Sequence, residues 1–119
     1  MRIEVKGRNL PVTDDLRAHV ERRFEKIAKQ VSEYAQLEIE ICEERNPAIA
    51  DRQVAEATLF LKGVTLRAHD ASPDLVHSIN LCADELARQV KRHRDKRRRR
   101  REARTQADAP SAPSASSPL

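Results

Sequence analysis

The sequence predicts an α+β domain: a four-stranded mixed sheet with two helices packed on one face, in the order βαβββα. Three observations carry this. Four short stretches alternate apolar and polar side chains with the period of a half-buried strand. Two longer stretches repeat apolar residues at helical spacing. Turn and cap residues fall between them at the right places.

In chain order, residues 2–6 alternate, with Ile3 and Val5 on one side, and Gly7 closes this first strand. After the connection Arg8-Asn9-Leu10-Pro11, Thr13 precedes Asp14-Asp15, an N-cap with two carboxylates where the helix dipole favours them. Leu16, Val20, Phe24, Ile27 and Val31 then form one apolar stripe. The opposite face carries Arg22, Lys26 and Lys29 at i, i+4 and i+7. Like charges at that spacing cost a few tenths of a kcal/mol, so the stripe hints at a polyanionic partner.

Leu37, Ile39 and Ile41 alternate with Glu38 and Glu40 as a second strand, and a right-handed crossover makes it parallel to the first. Asn46-Pro47 marks a loop. In the third strand Ala55, Ala57, Leu59 and Leu61 oppose Glu56, Thr58 and Phe60. Lys62-Gly63 turns the chain into a fourth strand, residues 64–69, with Leu66 and Ala68 inward. Ser72-Pro73-Asp74 opens the last helix with Ser72 as cap, and Val76, Ile79, Ala83, Leu86 and Val90 mark its buried stripe. With both helices on one face, Glu4, Glu38, Glu40 and Glu56 fall on the other, giving an acidic sheet face and a basic helix face.

Charge is the most uneven property of the chain. Residues 88–104 hold eleven Lys and Arg against two acids, a local +9 in a chain of +4, so the remainder sums to −5. A field concentrated in this way marks a polyanion site, set against the alternative of a solvated helix end. Arg88, Lys91, Arg92 and Lys96 lie away from the apolar stripe, with Arg94 nearer its edge. Each can neutralise a phosphate and release counterions, and guanidinium adds bidentate geometry. Aromatics are scarce (Phe24, Phe60, Tyr34, no Trp), which favours phosphate and shape recognition over base stacking.

Other chemistries lack their residues. Two glycines, Gly7 and Gly63, make no phosphate loop; His19, His69, His77 and His93 form no HExxH pair, and Ser72 and Ser78 have no GxSxG context. No enzyme activity, cofactor or metal is expected. Cys42 and Cys82 lack a CxxC partner and read as reduced thiols rather than a disulfide. No signal peptide opens the chain and no stretch approaches the ~20 apolar residues of a membrane span, so a cytoplasmic protein is expected. The expected organisation is a domain at 1–96, a basic extension of the last helix at 97–104, and a disordered Ala/Pro/Ser-rich tail at 105–119.

Over residues 1–96 the chain resembles the ribosome hibernation promoting factor and ribosome-associated inhibitor (protein Y, sigma-54 modulation protein) family. The resemblance rests on Ile3-Glu4-Val5-Lys6-Gly7-Arg8-Asn9 before Val12-Thr13, then Leu16-Arg17, Ala55-Glu56-Ala57-Thr58-Leu59 and Leu66-Arg67-Ala68. Its most telling part is Asp84-Glu85-Leu86-Ala87-Arg88-Gln89-Val90-Lys91-Arg92-His93-Arg94-Asp95-Lys96. The resemblance implies the same βαβββα fold and binding to the small (30S) ribosomal subunit, on 16S rRNA, in the channel of mRNA and tRNA. Bound there, such a protein blocks translation and preserves idle ribosomes under stress. The family's rRNA contacts match Arg23, Lys26, Arg88, Arg92, Arg94 and Lys96. Arg22, Lys29 and Lys91 join them on the helical wheel, and Arg8, within Gly-Arg-Asn, is a candidate loop contact. Two departures stand out. Asp74-Leu75-Val76 replaces the Asp-Met-Tyr of many members, and the second, ribosome-pairing domain of long members is not expected here. A general double-stranded RNA or DNA binder is the alternative reading, and a protein-interaction module docking through the acidic sheet face a third.

Overall fold

The structure, a computed structural model, describes residues 1–108. Strands β1 (Arg2–Arg8), β2 (Gln36–Glu43), β3 (Gln53–Leu61) and β4 (Val64–Ser72) form one sheet in that order. Helices α1 (Asp14–Arg23) and α2 (Glu25–Ala28) connect β1 to β2, and α3 (Leu75–Asp108) follows β4. The β1–β2 pair is parallel and the other two are antiparallel, so the sheet is mixed, as expected.

The alternation explains the layering. Leu37, Ile39 and Ile41 of β2 and Ala55, Ala57 and Leu59 of β3 are buried, while Glu40, Glu56 and Phe60 are exposed. The register places Ile39 between Val5 and Ala57, giving one apolar layer toward the helices. Val20, Phe24 and Ile27 from one side and Ile79, Cys82, Ala83, Leu86 and Val90 from α3 complete the same core. Fully burying each large aliphatic or aromatic side chain contributes about 1.5–3 kcal/mol, so this single layer holds the domain together.

Two glycines are used for different reasons. At Gly63, φ is +80°, which the two-residue turn between Leu61 and Val64 requires and a Cβ disfavours. At Gly7 the constraint is space: a Cβ there would lie 2.4 Å from the Leu10 carbonyl oxygen.

Several expectations need correction. The first helix is interrupted at Phe24 (φ −96°, ψ 4°), although the Phe24 amide still donates to the Val20 carbonyl at 3.0 Å. The backbone departs there from helical φ/ψ without breaking that bond, and the Phe24 side chain is wholly buried. Val31 falls beyond α2, and β4 runs on to Ser72 instead of ending at residue 69. The cap of α3 is Asp74, whose Oδ2 accepts from the His77 amide at 3.3 Å while its carbonyl accepts from the Ser78 amide. Ser72 is buried instead, with its Oγ 2.7 Å from Ser78 Oγ, which donates to the Gln53 carbonyl at 2.6 Å. Val76, at the margin of the stripe in the first turn, is exposed, and Cys82 takes a place in the core.

The outer sheet face is mixed rather than acidic. Lys6 lies 3.8 Å from Glu4 and Arg8 lies 3.6 Å from Glu40, while Arg67 and His69 project from β4 on the same side. Lastly, α3 continues as helix beyond Val90 through the arginine run. From Lys91 to its end it projects about 27 Å at 1.5 Å per residue. Residues 105–108, expected in the tail, still belong to α3, and the rest of the expected tail lies outside the described residues.

Candidate nucleic-acid interface

Along α3 the apolar stripe ends at Val90 and cations take over. Lys91, Arg92, Arg94 and Lys96 are exposed, and none has an ion pair among the described residues. They divide between two flanks. An open groove of about 640 Å³ is lined by Gln30 at the end of the α1–α2 segment and by Arg88, Lys91, Arg94 and Arg98 of α3. The opposite flank presents Arg92, His93 and Lys96 beside Gln89, above Val64 and Leu66 of the β4 edge. Unpaired cations on both sides of one rod create a field that a polyphosphate strand can follow on either flank.

Arg88 differs from its neighbours. Its guanidinium bonds Glu85 through both Nε and Nη2, and Gln89 donates to the same carboxylate at 3.3 Å. These donors, Arg88 first, hold the Glu85 carboxyl below the usual carboxylate range. Glu85 therefore stays ionised and partly cancels the Arg88 charge. Arg98 is similarly placed 3.6 Å from Asp95.

The seam between the first helix and α3 is set by polar contacts. His19 Nε2 lies 2.9 Å from Asn80 Oδ1. Arg23 donates to Asn80 Oδ1 at 2.9 Å, to the Asn80 carbonyl at 3.3 Å and to Asp84 Oδ1 at 2.8 Å. Both helices advance in the same direction along this seam, from His19–Asn80 to Arg23–Asp84 to Gln30 beside Ala87 and Lys91. Lys26 and Arg22 lie on the exposed shoulder above it, without ion pairs among the described residues, and Lys29 lies 3.7 Å from Glu25.

The structure thus gathers Arg88, Lys91, Arg92, Arg94 and Lys96 on one rod, with Arg22, Lys26 and Lys29 on the adjoining helix surface. It does not bring all ten expected residues into one role. Arg23 is half-buried and engaged in bridging the helices. Arg8 lies on the opposite face of the sheet, against Glu40. Conversely, Gln30 and Arg98 line the groove without having been expected there. Gln30 carries no charge signal, and Arg98 is inconspicuous inside a run of identical residues.

Among the described residues no group of His, Cys, Asp and Glu could hold a metal ion, and no helix is long and apolar enough to cross a membrane. Both cysteines are free: Cys42 is half-exposed, and burial, then the charge of Asp70, pushes the Cys82 thiol up to about 12.

Comparison with known proteins identifies the family and the fold. The chain is 31% identical over 97 residues to a ribosome hibernation promotion factor of Picosynechococcus, covering 81% of this chain and 50% of that protein. A ribosome hibernation promoting factor of Azotobacter vinelandii is 29% identical over 110 residues, with 92% and 98% covered. This chain therefore spans about half the length of the first relative and nearly all of the second. The crystal structure of the Thermus thermophilus Protein Y N-terminal domain superposes with a TM-score of 0.68 at 26% identity, covering 78% of this chain and 99% of that one. Residues 3–98, which include all of the sheet but Arg2, the bridging Arg23 and the cations as far as Arg98, match the family's sequence profile. The chain belongs to the Sigma 54 modulation protein / S30EA ribosomal protein family.

Proposed function

We propose that this protein is a non-enzymatic, cytoplasmic ribosome hibernation factor that binds the small (30S) subunit through 16S rRNA. Its mechanism is steric: the rigid domain fills the channel of mRNA and tRNA, and the α3 cations hold the phosphates that line it. The observation that carries this reading is the contiguous set Lys91, Arg92, Arg94 and Lys96, exposed and unpaired among the described residues, on a helix anchored in the core. Unpaired cations on a helix rooted in the core supply counterion release without a folding cost. The names of the Picosynechococcus and Azotobacter relatives point the same way.

Sedimentation through sucrose gradients with purified small subunits, across a potassium chloride series, tests the proposal. The protein is expected to travel with the subunits at low salt, to be displaced by an mRNA–tRNA complex, and to resist an excess of duplex RNA. A protein that stays at the top of the gradient at low salt contradicts it. Loss of binding to bulk duplex RNA favours the general duplex binder instead.

A further inference from the structure

The chain has three aromatic residues, and their placement is uneven. Phe24 is wholly buried, but Tyr34 is 87% exposed and Phe60 38% exposed, and the two line one crevice. Ser32, Ala35, Leu61 and Lys62 complete it, enclosing about 390 Å³. Its walls are held in place. The Tyr34 amide donates to Ser32 Oγ at 3.1 Å, the Ala35 amide to the Ser32 carbonyl at 3.0 Å, and the Arg2 amide to the Ala35 carbonyl at 2.9 Å. On the other side Phe60 sits in β3, paired with Gln36 of β2 just beyond Tyr34. Exposed single aromatics are ordinary. Two aromatic side chains lining one crevice, over a backbone fixed by these bonds, offer a platform for a planar group.

The platform also sits at the cationic end of the molecule. Gln30, two residues before Ser32, lines the groove with Arg88, Lys91 and Arg94. Val64, two residues after Lys62, lines the flank with Arg92 and Lys96. Lys62 itself is exposed and has no ion pair among the described residues. Aromatic side chains with a cation in the same crevice, here Lys62, are an arrangement that takes unpaired bases: the rings stack on the base while the cation holds the backbone. The proposed rRNA contacts of α3 are phosphate contacts, and they leave these rings without a role.

We infer that the Tyr34–Phe60–Lys62 crevice binds a single-stranded nucleotide, stacking an unpaired base on the two rings while Lys62 holds a flanking phosphate. The inference deepens the proposed function, since it rests on an RNA partner, and it adds readout of single-stranded RNA to a surface otherwise specific only for charge.

Tyr34 is the one tyrosine and there is no tryptophan, so intrinsic fluorescence of the full chain reports on the crevice directly. A ten-nucleotide single-stranded RNA, titrated with correction for its absorbance, is expected to quench Tyr34, and a duplex of equal length is not. Tyr34→Ala and Phe60→Ala should each weaken single-strand binding about 5- to 20-fold, within the range of one stacked base, while Tyr34→Phe retains it. Binding without quenching, equal quenching by duplex, or undiminished affinity in Tyr34→Ala overturns the inference and leaves small-subunit binding through α3 standing. If Tyr34→Ala loses small-subunit binding while no oligonucleotide quenches, the crevice is a protein contact and the inference also falls. Failure of the wild-type protein to sediment with small subunits would refute the proposed function without touching the oligonucleotide result.

Discussion

Replacing Lys91, Arg92, Arg94 and Lys96 together by glutamine removes cations that hold no ion pair among the described residues and bury nothing. Each lost phosphate contact removes about 0.7–0.9 from the slope of log K against log salt, so the four account for roughly 3. Extrapolated from 1 M salt, where counterion release no longer favours binding, that slope difference makes binding roughly 300-fold weaker at 0.15 M. Stability should shift by no more than about 0.5 kcal/mol per site, since glutamine is a good helix former and only surface changes. Arg23→Gln is the internal contrast. Losing the 2.8 Å contact to Asp84 and the bonds to Asn80 should cost about 1–2 kcal/mol, given that the Arg23 side chain is still 38% exposed. That lowers Tm by roughly 4–8 °C per kcal/mol in a domain of this size and leaves the salt slope unchanged. Affinity for small subunits by fluorescence anisotropy over a salt series, with thermal melts of each variant, measures both quantities. A quadruple variant with the wild-type slope would refute the reasoning, and so would an Arg23→Gln protein that melts normally but loses one unit of slope.

Three further predictions concern the scaffold. Gly7→Ala places a methyl group 2.4 Å from the Leu10 carbonyl oxygen, so β1 and the following loop must separate. A stability loss of about 1–3 kcal/mol is expected, and an unchanged denaturant midpoint would contradict it. The Cys82 thiol is protonated in the fold up to about 12, against 9.0 without burial. Its raised folded pKa means that its contribution is complete below pH 9 and is lost as pH rises toward 12, because the unfolded chain ionises first. The slope is about 1.4 kcal/mol per pH unit, and the difference between wild type and Cys82→Ala isolates it. A thiol reagent at neutral pH should modify Cys42 in the native protein and Cys82 only after denaturation; rapid native modification of both contradicts the burial.

The strands were legible because each stabilising choice is local: Leu37, Ile39 and Ile41 announce their face with period two, and Gly63 announces its turn. The helical core was legible for the same reason, as was the basic rod. What escaped depends on contacts distant in sequence. Arg23 carries the same charge as Arg22, and only the position of Asn80, 57 residues away, separates a bridge from a free cation. Ser72 satisfies every local rule for a cap, yet a buried partner at Ser78 and the Gln53 carbonyl draw it inward, and Asp74 does the capping. The interruption at Phe24 has no glycine or proline at it, so nothing local announces it. Tyr34 and Phe60 come to line one crevice because β3 pairs Phe60 with Gln36, so a count of aromatics undervalues them.

The uninterrupted course of α3 ties its far end to its root in rotation as well as in distance. Each residue of an α-helix turns the chain by a fixed angle, 3.6 residues to the circle. The azimuth of every distal arginine is thus indexed to Val90, which the core clamps. One residue inserted just after Val90 would rotate the entire cationic surface by roughly 100° and advance it about 1.5 Å, with composition and charge unchanged. Seven inserted residues would nearly restore the phase while lengthening the arm by about 10 Å. The helix therefore works as an indexed shaft, on which the angular position of a charge is as much a part of the encoded surface as its sign.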